Sequence, residues 1–168
     1  MQKNRKLIIV GAGETAMIAH EYFTHDSSYE VACFSVTGQY IDKEVYLNLP
    51  LIAFEDVKDV YPPDKYDMHI AISYTHLNRD RAKMYYAAKE KGYKLANYIS
   101  SRAFVWHNVE MGDNCFIFEN NVIQPFVKLQ SNIILWSGNH IGHRTVIRDH
   151  CYIASHVVIS GFCEIGEY

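Results

Sequence analysis

His143 and Gly161 stand at matching places, three repeats apart, in a stretch whose apolar residues recur every six. An ordinary histidine titrates near about 6.5, so it can accept a proton at neutral pH. A glycine leaves its backbone N–H open to an approaching oxygen. Together these are the two groups that acyl transfer needs: a base for the incoming nucleophile and a donor for the developing oxyanion. The pairing holds only if the chain returns to the same place after three repeats, so the surrounding elements decide it.

Those elements are written plainly. Ile99, Val105, Met111, Ile117, Ile123, Leu129, Leu135, Ile141, Ile147, Ile153, Ile159 and Ile165 are spaced six apart and are all branched aliphatics or Met. A period of six fits neither a helix nor an ordinary strand. It fits a chain that turns a corner after each short strand, three sides making one coil of a left-handed parallel β-helix. A second, smaller interior slot follows four places after each aliphatic and takes Ala103, Cys115, Asn121, Asn139, Thr145, Cys151 or Cys163, among others. Asn121 and Asn139 are one coil apart and are expected to satisfy each other along the axis. Triplets such as Gly112-Asp113-Asn114 and pairs such as Ser137-Gly138 and Ser160-Gly161 supply the corners. His143 falls at a corner, with Gly161 directly above it at about 4.8 Å, the spacing between strands.

Other histidines crowd the same region. His140, His150 and His156 suggest a metal site, but their positions in the hexads put them at different corners, and zinc needs ligands within about 2.1 Å of one point. No metal is expected. Trp106, Phe118, Phe126 and Trp136 occupy outward positions, and a flat aromatic face repeated threefold suits a homotrimer. Packing against the chain's own first domain is the alternative, and the trimer is favoured for Trp136, in the coil leading to His143.

Composition bounds the rest. The chain has 168 residues and a formal charge of −3, room for one large or two small domains. No basic cluster points to nucleic acid, and the apolar run 7–10 is too short for a membrane span or a signal peptide. A cytoplasmic protein is expected. Of the four cysteines, Cys115, Cys151 and Cys163 take the small interior slot and Cys33 a strand, so all read as reduced packing residues.

Residues 1–98 lack the repeat and form a separate domain; residues 99–168 form the β-helix. Strands are expected at 6–10, 29–34, 51–53, 68–72 and 94–98, and helices after 13, at 54–60 and at 78–91. That alternation predicts a small parallel α/β sheet of Rossmann type. Gly11, Gly13 and Ala16 follow the first strand as a G-x-G-x-x-A turn, whose free amides attract an anion. The second strand ends in Cys33-Phe34-Ser35-Val36, with no carboxylate for a ribose, so a substrate's nucleotide, a structural turn or NAD(P) remain open in that order. Ser73, Tyr74 and Thr75 follow the third main strand at the edge where such folds bind ligands.

This combination resembles the sialic-acid O-acetyltransferase and nucleotide-sugar N-acetyltransferase family of hexapeptide-repeat acyltransferases. Val10-Gly11-Ala12-Gly13 matches its first turn. Residues 138–147 look like its active-site coil and residues 154–161 like the coil above. The resemblance implies acetyl-CoA as donor, a nucleotide-linked sugar as acceptor, a trimer, and a place in bacterial surface-glycan biosynthesis. It assigns His143 as base and Gly161 as oxyanion donor. It also points to Ser155, His156 and Gly161 toward the coenzyme, and to Gly11, Gly13, Thr15, Ser73, Tyr74 and Asn139 toward the sugar nucleotide. Two departures stand out. Arg144 replaces a residue that is often acidic in relatives and helps orient the histidine, leaving Asp149 or a backbone carbonyl as candidates. The repeat also stops at Gly166-Glu167-Tyr168, partway through a coil, so a truncated chain lacking part of the donor site is expected. Two other functions compete: a non-catalytic nucleotide-sugar-binding or assembly module, and a metal-dependent hydratase on the same β-helix. Whether an amine or a hydroxyl accepts the acyl group stays open.

Overall fold

A computed structural model describes residues 2–168; Met1, which opens the expected first domain, lies outside the described residues. The chain divides into two compact units. One holds the residues up to Ser73 together with Lys83–Ala96, and the other holds Tyr74–Ala82 with Asn97–Tyr168.

In the first unit, strands β1 (Arg5–Val10), β2 (Tyr29–Val36), β3 (Val45–Tyr46), β4 (Leu49–Ala53) and β5 (Tyr66–Ile70) form one sheet in the order β3-β4-β2-β1-β5. β1 pairs in parallel with β2 and β5, and β2 with β4, whereas β3 runs antiparallel to β4. Helix α1 (Glu14–His25) joins β1 to β2, and a single turn, α2 (Val57–Val60), precedes β5. This corrects the Rossmann expectation. A Rossmann fold needs two βαβαβ halves, and no such domain is evident among the described residues. The connection from β2 to β4 carries no α-helix, only a short turn at Gly38–Tyr40 and the β3 hairpin. The cause is local. Residues 37–48 are mostly exposed and have no helical apolar stripe, and Leu47 and Asn48 both take left-handed φ values of 49° and 63°, which closes a tight hairpin. Of the strand expected at 94–98, Leu95 keeps a single bridge to Met68, and Tyr98 instead opens the first strand of the second unit.

The second unit is the β-helix. Twelve short strands, from Tyr98–Ile99 to Glu164–Ile165, stack into three parallel sheets of four, each strand pairing with the third one after it in the chain. This is the arrangement of a left-handed β-helix, as expected. The second residue of each strand turns inward, and Ile117, Ile123, Leu135, Ile141 and Ile147 are fully buried. Ile99, at the first coil, is 42 % exposed. Ten corner residues, six apart from Asn114 to Tyr168, have left-handed φ, among them Phe126, Arg144, His156 and Phe162. A non-glycine residue there costs about 1–2 kcal/mol, which the buried aliphatics between corners offset at roughly 1.5–3 kcal/mol each.

The three outward faces differ. One carries Tyr98, Phe116 and Ile134, all buried. A second carries Glu110, Lys128, Val146 and Glu164, with Lys128 paired to Glu110 at 3.0 Å. The third carries Phe104, Val122, His140 and Val158, with Phe104 and Val158 exposed. Inside, Asn121 and Asn139 do stack, but not amide on amide. The Asn121 side-chain oxygen accepts the Asn139 backbone N–H at 3.2 Å, and its Nδ2 donates to the carbonyls of Phe118 and Trp136, both at 2.8 Å. The direct amide ladder lies at another corner: Asn114 Nδ2 donates to Asn132 Oδ1 at 2.8 Å, and Asn132 Nδ2 donates to His150 Nδ1 at 2.9 Å.

Candidate active site

The strand His140–Ile141 ends in Gly142, and the chain turns its corner at His143 and Arg144. One coil later Ser160 and Gly161 make the same corner. A Cβ on Gly161 would lie 2.6 Å from His143 Cε1 and 2.8 Å from Nδ1, so only glycine leaves room for the ring. Gly142 is equally constrained, because an added Cβ would strike the Gly161 backbone nitrogen. The expected pair is thus in contact, with the His143 ring seated against the Gly161 backbone and the residue itself exposed to solvent. Phe162 approaches that ring edge-on, centroids 5.1 Å apart.

Two residues that matter here were not read from the sequence. Gln124, one coil below, receives the His143 backbone N–H on Oε1 at 2.9 Å, and the same oxygen lies 3.4 Å from His143 Nδ1. Its signal was a spacing of 19, which recurs where Gln130 Oε1 receives the Asp149 N–H at 3.1 Å. Phe162 was the second. The Arg144 guanidinium lies over the Phe126 ring at 4.7 Å and 6.0 Å from the Phe162 ring. Asp149, a candidate partner for His143, instead accepts the Ser131 N–H at 2.7 Å.

Ser155 and His156 form a different corner, on the other side of the strand Val158–Ile159. There His156 is the upper residue and Gly138 the lower, and a Cβ on Gly138 would lie 2.6 Å from the His156 ring. The structure therefore places Ser155 and His156 one face away from His143 and Gly161. Asn139 is buried and committed: its Nδ2 donates to Trp136 O at 2.6 Å and its Oδ1 accepts from Val157 N–H at 2.8 Å. Trp136 is half-buried, stacks on Phe118 at 4.3 Å and lies 6.4 Å from the Tyr152 ring. Tyr74 is exposed and touches Tyr152, centroids 5.1 Å apart.

His150 is buried, and burial holds its pKa below the ordinary histidine value. Cys33, Cys115, Cys151 and Cys163 are free thiols, and burial pushes Cys115 up to about 12 and Cys151 to about 11, which suits packing and not reactivity. Among the described residues, no three His, Cys, Asp or Glu side chains converge as a metal site. No helix among them is long and apolar enough to cross a membrane.

In the first unit, Gly11 has a φ of +130°, gives its N–H to Ser35 O at 2.8 Å, and has no room for a Cβ, which would sit 2.6 Å from Ala71 O. Gly13 is the extended residue that starts α1, and nothing lies within 4 Å of an added Cβ there. Its neighbour Thr15 lies in the first turn, where helical N–H groups have no carbonyl within the helix. Ser35, where a ribose-binding acid would stand, is buried, and its hydroxyl makes no hydrogen bond. Ser73 follows β5 and is half-buried.

No protein-family model matches the sequence, and no curated protein matches it. Solved structures do. The acetyltransferase domain of PglB from Neisseria gonorrhoeae FA1090 superposes with a TM-score of 0.77 at 20 % identity, covering 90 % of this chain and 72 % of that one. The same domain in complex with acetyl coenzyme A gives 0.73 at 18 % identity, covering 96 % and 93 %. PerB from Caulobacter crescentus, in complex with CoA and GDP-perosamine, gives 0.68 at 17 % identity, covering 93 % and 83 %. Identities this low establish a shared fold.

Proposed function

We propose that this protein is an acetyl-CoA-dependent acetyltransferase acting on an amino or hydroxyl group of a nucleotide-linked sugar, as in surface-glycan synthesis. The observation that carries the reading is the His143 ring lying against the Gly161 backbone, on a fold shared with a domain solved with acetyl coenzyme A and with PerB solved with CoA and GDP-perosamine. Gly161 also provides the test of fit for a thioester. Any side chain there would fill the space beside the histidine.

His143 would take the proton from the acceptor's N–H or O–H as that atom bonds to the acetyl carbon. The Gly161 N–H would stabilise the charge that develops on the acetyl oxygen. The thiol of CoA leaves, completing the exchange. Ser155 and His156, a face away, would contact a more distant part of the coenzyme. In the first unit, the Gly11–Thr15 turn and Ser73 would hold the nucleotide's phosphates, and the absence of a carboxylate at Ser35 favours a sugar nucleotide over NAD. A homotrimer would pack the apolar face of Phe104, Val122 and Val158, with Trp106 beside it.

The test is thiol release from acetyl-CoA in the presence of a panel of nucleotide-linked amino and neutral sugars. Release that depends on one class of acceptor supports the proposal. Binding of both substrates without release would instead make the chain a non-catalytic binding module.

A further inference from the structure

We propose that Gln124 is the positioning residue of His143, holding the ring in the tautomer that leaves Nε2 free to accept a proton. This rests on the reading of His143 as base. The amide's orientation is fixed by the backbone: the His143 N–H at 2.9 Å must meet an acceptor, so the oxygen of Gln124, not its nitrogen, faces the ring. The same oxygen lies 3.4 Å from Nδ1. A carboxamide oxygen only accepts, so Nδ1 carries the proton in that contact and Nε2 keeps its lone pair. Contacts of this length in a ligand-free site tighten when substrate closes the geometry.

The other neighbours cannot do this. Phe162 offers only a hydrocarbon ring, perpendicular to the imidazole, and Gly161 its α-carbon side. Arg144 lies over Phe126, and Asp149 holds the Ser131 N–H. A neutral amide thus does the orienting, and it does so without adding a negative charge beside the ring. Gln130 supplies an internal reference: it makes the same backbone contact, to Asp149, with no histidine above it. The backbone rung belongs to the β-helix, and the contact with the ring is peculiar to Gln124.

The experiment compares Gln124→Ala, Gln124→Glu and Gln130→Ala in the full chain. The readouts are the ring ¹⁵N shifts of His143, thermal unfolding, and kcat and KM against pH. Wild type should show the Nδ1-protonated tautomer. Gln124→Ala should lose it and drop kcat by roughly 10–100-fold, the cost of a misaligned group, with KM for acetyl-CoA little changed. Gln124→Glu should keep the tautomer and most of kcat, and its carboxylate, favouring the charged ring, should move the acid limb of the pH profile upward. Gln130→Ala should lower the unfolding temperature about as much as Gln124→Ala, yet spare the tautomer and kcat. An unchanged tautomer in Gln124→Ala, or equal kcat losses in the two alanine variants, overturns the proposal. If wild type releases no thiol with any acceptor, the base reading fails, and the tautomer comparison still decides the role of Gln124.

Discussion

Two corners flank the apolar face of the β-helix, and each stacks a histidine on a glycine one coil away. At one, His143 lies below Gly161; at the other, His156 lies above Gly138. The contact alone therefore does not make a base, because each coil places any corner residue over its counterpart. The corners differ in what else touches the ring. His143 has Gln124 at Nδ1 and the edge of Phe162. The His156 ring has no side-chain hydrogen-bond partner among the described residues. The glycines differ too. Gly138 is required twice, by its φ of +78° and by the ring, whereas Gly161 is required by the ring alone. A fold that supplies stacking everywhere makes a site only where a partner fixes the ring and the backbone stays open.

The contrast can be broken most strongly at the glycines. Gly161→Ala pushes a methyl group into the His143 ring and should cut turnover by roughly 10²-fold, the cost of a misplaced catalytic group. Its unfolding transition should move little. Gly138→Ala should do the reverse, with a loss of stability of at least ~1 kcal/mol from the left-handed backbone and turnover within a few-fold of wild type. Kinetics and urea unfolding on the same two variants check both.

Next comes the shared interior. Ile141, fully buried directly before the His143 corner, should cost about 2–5 kcal/mol as Ile141→Ala, read by chemical denaturation. The face between the corners gives a third test. Val158 is 74 % exposed, and Val158→Asp should shift the sedimentation of a trimer toward monomer without moving the melting temperature of the single chain by more than a degree or two. A wild-type chain that is monomeric at micromolar concentration would remove the trimer from the proposal.

The smallest effect concerns a third histidine. His150 is buried and accepts a hydrogen bond from Asn132, so the neutral ring fits the fold. Burial lowers its folded pKa, with Arg81 acting in the same direction and Asp149 and Glu167 opposing. The unfolded chain binds the proton more readily. The stability His150 contributes is therefore complete above the unfolded value of about 6.5 and is lost as pH falls below it toward the folded value. Urea midpoints from pH 8 to pH 5 should decline in wild type and decline less in His150→Asn.

The β-helix was legible because each strand contributes one inward residue and each corner resets the count, so a period of six survives in the sequence from Ile99 to Ile165. The stacking of Gly161 over His143 followed from that period, and the roles given to the two residues came from the family resemblance. Gln124 was not legible, since its reach crosses from the end of one strand to the corner of the next coil, one place beyond the repeat. The Asn121 and Asn139 ladder was foreseen in place and not in partners, because neighbouring carbonyls at Phe118 and Trp136 compete for the amide. The left-handed corners at Phe126, Arg144 and Phe162 carry no local signal, as they are imposed by the coil against residue preference. The first unit was harder still. Its strands β1, β2 and β5 were visible as apolar runs, but the β3–β4 hairpin turns at Leu47-Asn48, which lacks the usual turn glycine. The Rossmann reading failed there.

The central claim is that His143, and not His156, moves the proton. It is tested most directly by comparing kcat for His143→Ala and His156→Ala at saturating acetyl-CoA and nucleotide sugar. The account predicts a fall of roughly 10²–10⁴-fold for His143→Ala, greater for a hydroxyl acceptor than for an amine, and for His156→Ala a kcat within a few-fold of wild type. Near-normal turnover in His143→Ala, with turnover abolished in His156→Ala, would contradict it.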